Sequence, residues 1–213
     1  MYRTRTAAGV LAAAVLAAGA AACSGDDGEV APAAAPTASE GPVAPTVSMS
    51  SMPPGGLPFG SACTAFPASG RGSIPAMGSE PFATAASHGP PLSALAGAIR
   101  KAGLADRLDS AKKLTVFAPT DEAFGKVPKA TLDGAMADEK KLARILTYHA
   151  VARRIAPDRL GEGNFTTLNG AKLKTTGSGD SYVVGDGANV LCGNIHTANA
   201  TVYVIDRVLM PPE

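Results

Sequence analysis

Apolar and polar positions change rhythm along the chain, and the change divides it. Up to about residue 58 there is no hydrophobic periodicity. From residue 80 apolar residues recur in runs that can build a core. Ser79-Glu80-Pro81 reads as a helix start, and the helix runs to about Ser87, ended by His88-Gly89-Pro90-Pro91. Leu92, Leu95, Ala96 and Ile99 share one helical face, so Pro91 to Ala102 is an amphipathic helix closed by Gly103. Leu104 and Leu108 make a further turn. Leu114 to Ala118 is a short apolar strand; Pro119 biases Ala118 away from the helical region and stops the run. Thr120 or Asp121 caps the next helix, with Glu122 in its acidic first turn. Short helices follow at Asp121 to Gly125 and Lys129 to Met136. Asp138 to Thr147 then forms a helix with Leu142, Ile145 and Leu146 on its apolar face and Lys140, Lys141 and Arg144 solvated.

After Tyr148-His149-Ala150-Val151 the helical rhythm gives way to short β-like runs. They are Phe165–Leu168, Ala171–Thr176, Tyr182–Val184, Asn189–Asn194 and Thr201–Leu209, with Asn169-Gly170 a hairpin turn. Val202, Val204 and Val208 alternate with Tyr203, Ile205 and Leu209, so the last strand is apolar on both faces and central. Helices first and strands last, with one strand near residue 114, predict an α+β domain.

The 213 residues bound the chain at one or two domains, and composition selects one. A domain over residues 80–213 has a common size and supports a real core. Residues 1–22 read as an export signal: Arg3 and Arg5, then an apolar stretch from Gly9 to Ala20, then small residues. That stretch is too short for a membrane span, which needs roughly 20 residues. The ending Ala20-Ala21-Ala22-Cys23 resembles a bacterial lipoprotein box, although Ala20 stands where a larger apolar residue is usual. Lipidation at Cys23 would place the protein on the outer face of the plasma membrane. A simple secretory signal, with Cys23 incidental, would release it. Residues 23–58, rich in Ala, Pro, Ser and Thr, are expected to be a disordered tether. Without Arg3 and Arg5, 17 basic residues face 18 acidic ones (19 less two), which gives no reason to propose nucleic acid as partner.

Leu114-Thr-Val-Phe-Ala-Pro-Thr-Asp-Glu-Ala-Phe124 resembles the first signature of fasciclin domains, Tyr148-His149 the family's tyrosine-histidine motif, and Thr201 to Pro211 its second signature. The three occur in family order and cover residues 80–213. The resemblance, closest to the secreted and lipid-anchored fasciclin antigens of mycobacteria, implies a compact β-sheet wedge or sandwich with several short helices packed on it. It also implies adhesion or an envelope and matrix interaction, with a surface protein or polysaccharide as partner of a monomeric domain. Tyr148-His149 is linked in animal relatives to integrin adhesion. The plainer reading puts Tyr148 in the core and His149 on the loop around Thr120. Asn194-Ile195 aligns with a second animal adhesion motif but lacks its carboxylate. Asp206, beside Arg207 in the predicted last strand, is expected to hold a buried backbone group or a loop.

Three cysteines occur, Cys23, Cys63 and Cys192. With Cys23 lipidated an even pair remains, and a Cys63–Cys192 disulfide is expected to pin the extension 59–79 onto the late strands; free thiols or an intermolecular bridge are the alternatives. Two distant cysteines and three histidines offer no metal-ligand cluster, no cofactor is implied, and no phosphate loop, nucleophile elbow or zinc-protease helix is present. A non-enzymatic surface protein is therefore expected. A carrier of a lipid or small apolar ligand is the alternative, and an enzyme of unrecognised type with His149 in a cleft is the third reading.

Overall fold

Strand β1 (Leu114–Pro119) is buried along its whole length, as its run of apolar residues requires. It sits inside the sheet of the computed structural model, which describes residues 56–212; the expected signal, Cys23 and nearly all of the tether lie outside the described residues. Helices α1 (Ile74–Met77), α2 (Phe82–His88), α3 (Ser93–Lys101) and α4 (Ala105–Ser110) precede β1. Helices α5 (Asp121–Gly125), α6 (Lys129–Ala137) and α7 (Glu139–Tyr148) follow it. Then come β2 (Ala150–Val151), β3 (Glu162–Thr166), β4 (Lys172–Ser178), β5 (Ser181–Val184), β6 (Ala188–His196) and β7 (Ala200–Ile205). The fold is α+β, as the sequence predicts.

Among the described residues the strands form a seven-stranded sheet in the order β2-β1-β7-β6-β5-β4-β3. Only β1 and β7 pair in parallel. The two edges meet at one end, where Val151 bridges Thr167 and Leu168 N–H donates to Ala150 O at 2.7 Å. The sheet is therefore nearly closed on itself.

Side chains alternate across a strand, so β1 and β7 feed two cores. Leu114, Val116 and Ala118, with Ala200, Val202 and Val204, meet the helices: Phe82, Leu92, Leu95 and Ile99 pack there, each 2% exposed or less. Phe117, Tyr203 and Ile205 point the other way, into a second core with Tyr148, Phe165, Leu173 and Tyr182. The central position predicted for the last strand is thus observed, although the strand ends at Ile205 and not at Leu209. The regular ladder ends at Asp206: its N–H still donates to Asn189 O at 3.1 Å, but its carboxylate, and not its carbonyl, takes the Asn189 N–H at 2.8 Å. Leu209 is buried through tail packing, so its apolar character reflects the second core and not a strand. Strand β3 begins before the predicted Phe165: its inward position Gly163 carries no apolar side chain to signal a strand.

A 129-residue separation is closed by the Cys63–Cys192 disulfide, with Cα atoms 4.9 Å apart. Phe59 and Gly193 exchange both backbone hydrogen bonds, 3.1 and 2.8 Å. A Cβ at Gly193 would fall 2.3 Å from the Phe59 ring, so only glycine permits this approach.

Candidate functional site

The seven signature positions hold the frame together. Thr120 caps α5, its hydroxyl accepting from Ala123 N at 3.1 Å. Asp121 serves a different helix from the one it opens: its carboxylate accepts from Ala94 N at 2.7 Å and from the Ser93 hydroxyl, fixing the start of α3. Tyr148 is buried in the second core, its hydroxyl 3.3 Å from Lys172 O. Burial, and then the charge of Asp186, raises its pKa.

His149 is buried and both ring nitrogens are engaged. Leu209 N–H donates to Nε2 at 2.9 Å, so the proton sits on Nδ1, which donates to Ile145 O at 2.8 Å. Its carbonyl accepts from Phe117 N at 2.9 Å. The expected partner was the loop around Thr120; the imidazole instead ties α7 to the segment after β7. That tie spans 60 residues, which no local pattern reveals. Burial lowers the His149 pKa to about 4. A neutral ring with both nitrogens bonded inside the protein is not poised as a general base.

Asn194 and Ile195 are both buried, at 1% and 0% exposure, so neither offers its side chain to a partner surface. Asn194 sits in the bulge of β6 with φ 59°, a left-handed conformation that Asn tolerates, and its amide donates to Gly56 O and Leu57 O. Asp206 lies just past β7 and not within it. Burial pushes its carboxyl up, but the two hydrogen bonds from Asn189 and the cations Lys126 and Arg207 outweigh this and hold it below the usual range. Asn199, unremarkable as sequence, is a buried hub: Oδ1 accepts from Phe82 N, and its amide serves the Leu108, Asp109 and Ala111 carbonyls. It fastens α2 and α4 to the β6–β7 turn.

Because these residues face inward, accessible chemistry lies elsewhere. The tail that His149 pins forms one wall of a groove of about 730 Å³ whose other wall is α6 and α7. Ile145, Met210 and Pro211 give it an apolar floor, while Lys140, Lys141 and Arg144 are exposed along its rim. Asp138 is engaged as the cap of α7, accepting from Lys140 N and Lys141 N, 2.9 and 3.1 Å. Met210 is one of two large apolar side chains exposed among the described residues. The sequence reading assigned those cations to a solvated face; the wall opposite them comes from residues some 70 positions later. No group of three or more His, Cys, Asp or Glu is placed to hold a metal ion among the described residues.

Residues 90–211 match the family described as "Fasciclin domain". The chain is 42% identical over 185 residues to the cell surface glycolipoprotein MPT83 of Mycobacterium tuberculosis, covering 83% of each chain. It is 45% identical over 148 residues to the immunogenic protein MPT70 of the same organism, covering 67% of this chain and 75% of that one. Protein sll1483 of Synechocystis is 33% identical over 139 residues, covering 64% and 71%. Among solved structures, a FAS1 domain pair from the insect cell adhesion molecule fasciclin I superposes with TM-score 0.49 at 22% identity, covering 58% of this chain and 46% of the pair.

Proposed function

The chain belongs to the fasciclin domain family, and from that premise we propose that it is a non-enzymatic, surface-displayed lipoprotein that binds a macromolecule of the cell envelope or matrix. The observation that carries this reading is the likeness to a cell surface glycolipoprotein over 83% of both chains, which extends upstream of the domain itself. A lipidated Cys23 would anchor the protein, since two or more acyl chains hold stably to a bilayer. The tether, at roughly 3.1 Å per residue where extended, would let the domain reach on the order of 100 Å from the surface. Many tethered copies bind multivalently, so a modest affinity at each groove suffices.

The groove suits such a role. Its apolar floor gives contact area, and its cationic rim favours an anionic protein segment or polysaccharide. The carrier alternative requires an apolar chamber between helices and sheet. That interface is filled by Phe82, Leu92, Leu95 and Val202, each 2% exposed or less. The enzyme reading required His149 open in a cleft with an acidic partner, whereas it is buried between Ile145 and Leu209.

The test is a pull-down from envelope and matrix extracts with the mature chain carrying Cys23→Ser. Bound protein, polysaccharide and lipid are measured together. A saturable protein or polysaccharide partner, lost in the triple variant Lys140→Glu, Lys141→Glu and Arg144→Glu, is the expected result. A stoichiometric lipid with no macromolecular partner would establish the carrier instead.

A further inference from the structure

The sheet is closed at one end only. Beyond the Val151–Thr167 bridge the chain turns away from β3, since Arg153 N–H donates back to Val151 O at 2.8 Å. Buried Thr115 then holds the departing segment against β1: its hydroxyl donates to Arg153 O at 2.7 Å and accepts from Ile155 N at 2.8 Å. Tyr203 adds a third tie, donating to Ile155 O at 2.8 Å. Past that bridge, no strand among the described residues pairs with the outer side of β3.

Hydrogen-bond parity shows which groups that edge presents. Gly177 N–H donates to Gly161 O and Thr167 N–H to Ala171 O, so Gly161, Gly163, Phe165 and Thr167 direct their backbone groups at β4. Glu162, Asn164 and Thr166 direct theirs outward; Thr166 and Leu168 already face the segment at the Val151–Thr167 bridge, which leaves Glu162 and Asn164 facing the gap. The outer edge of β3 is thus a row of amides and carbonyls in strand geometry, facing a gap of about 640 Å³.

The gap is cationic. Arg153, Arg154 and Arg159 line it, with Asp158 and Glu162 as the acidic groups. Asp158 lies 3.9 Å from Arg159, which partly neutralises it. Lys172 and Lys174, opposite Thr166 and Asn164 on β4, extend the positive charge over the exposed face of the ribbon. Arg154 donates to Thr197 O and Ala198 O, so the other four cations stand against two carboxylates. The Arg153 guanidinium lies 4.7 Å from the Phe165 ring centre at the mouth of the gap, where a carboxylate would draw it outward. Exposed edges are usually blunted by charge against indiscriminate pairing. Charge of one sign blunts the edge against neutral and basic strands while leaving it receptive to acidic ones.

We propose that the open edge of β3 accepts an acidic peptide segment of another protein as an added strand. Main-chain hydrogen bonds to Glu162 and Asn164 would supply register, and Arg153, Arg159, Lys172 and Lys174 would select for Asp or Glu at alternate positions. This surface is separate from the groove beside α7, and its test does not depend on the groove reading.

The experiment uses the mature chain carrying Cys23→Ser and a fluorescein-labelled octapeptide of alternating Val and Glu, followed by anisotropy at low salt. Three control peptides accompany it: the same sequence N-methylated on the backbone of one set of alternate residues, the same sequence N-methylated on the other set, and an alternating Val and Lys peptide. The expected result is saturable binding of the Val-Glu peptide. One N-methylated register should weaken it at least tenfold, the Lys peptide should not bind, and the Lys140, Lys141 and Arg144 triple variant should leave it unchanged. Asn164→Pro removes an outward amide without touching the β4 ladder, and should weaken binding as N-methylation does. If that variant misfolds, by its melting curve, the N-methyl comparison decides alone. No saturable binding, or equal affinity in both N-methylated registers and the parent, would overturn the proposal; the latter would mean ion pairing only. Displacement of the peptide only by an acidic polysaccharide, with no N-methyl effect, would overturn it too.

Discussion

The two faces of β1 and β7 meet different chemistry. The helix-side core is mostly aliphatic and small, with Leu92, Leu95, Ile99 and a run of alanines closing over Leu114, Val116, Val202 and Val204, and with Phe66 and Phe82 as its buried aromatics. The opposite core is aromatic: Phe117 lies against Tyr203 at 5.9 Å between ring centres, and Phe59 reaches Tyr182 at 5.6 Å. Its tyrosines carry polar tips that must find acceptors when buried: Tyr203 finds Ile155 O beside the sheet's opening, and Tyr148 finds Lys172 O on β4. Helices cover the first core on its outer side. The second core is bounded by the groove at the tail and by the gap beside β3. The helix-side packing sets the scaffold, and the more aromatic core positions the segments beside the groove and the gap.

The largest expected effect comes from cutting the link between the cores. Cys192 belongs to the helix-side core, while its neighbour Gly193 holds Phe59 against the aromatic one. The disulfide constrains a very long loop, for which chain entropy suggests up to ~5 kcal/mol, with 2–5 typical for loss of a native bridge. Cys63→Ser with Cys192→Ser should therefore lower Tm by roughly 10 °C. The melt should be followed by far-UV circular dichroism for the helices and by tyrosine fluorescence for the aromatic side. Coincident transitions would mean the cores remain one cooperative unit without the bridge. An earlier loss of the tyrosine signal would make the aromatic side a subdomain, and an unchanged Tm would remove the claim that the bridge stabilises the fold.

A smaller effect should appear in acid. The native state holds His149 neutral with its pKa lowered to about 4, while the unfolded chain takes a proton near 6.5. The unfolded state thus binds more protons between those values, and stability falls as pH drops from 6.5 towards 4. In full this is on the order of 3–4 kcal/mol from this one group. His149→Gln should be less stable at pH 7, yet lose little between pH 7 and 5, where the parent loses about half of its imidazole contribution. Parallel Tm-against-pH curves for parent and variant would show that the buried ring is not the titrating group. The aromatic side should respond first, because the protonated ring loses the bond from Leu209 that holds the tail.

The helix-side half was the more legible in sequence, for a physical reason. Leu92, Leu95, Ala96 and Ile99 bury one stripe of one helix, and local spacing records that stripe. The aromatic half is made of pairings distant in sequence. Strand β3 hides because Gly163 occupies an inward position, and Leu209 mimics a strand residue while packing as a tail. The cysteine count indicated the bridge, since an odd cysteine near the signal leaves one pair. His149 was legible as a buried, bonded residue, but its partner was not: Thr120 is capping its own helix, and the accepting nitrogen goes to Leu209. The groove was invisible for the same reason, as its two walls, α7 and the tail after β7, come from segments some 70 residues apart.

The finest test of the division between the cores is Tyr203→Phe. It keeps the ring that stacks on Phe117 and removes only the hydroxyl that donates to Ile155 O at 2.8 Å. Burial, with the charges of Tyr182 and Asp158, raises the Tyr203 pKa, so the hydroxyl stays protonated and remains a donor. Its loss leaves a buried carbonyl without that donor, at a cost of about 1–3 kcal/mol, or a few degrees in Tm. The Ile155 amide keeps its bond to Thr115, so the segment should loosen without detaching. Hydrogen exchange distinguishes this from a general loss of packing: the amides of residues 153–155 should exchange faster, while those of α3 should change only by the global amount. Equal acceleration in α3 would mean that the two cores share one energy surface. Faster exchange confined to 153–155 would show that a single hydroxyl of the aromatic core holds the wall of the gap beside β3.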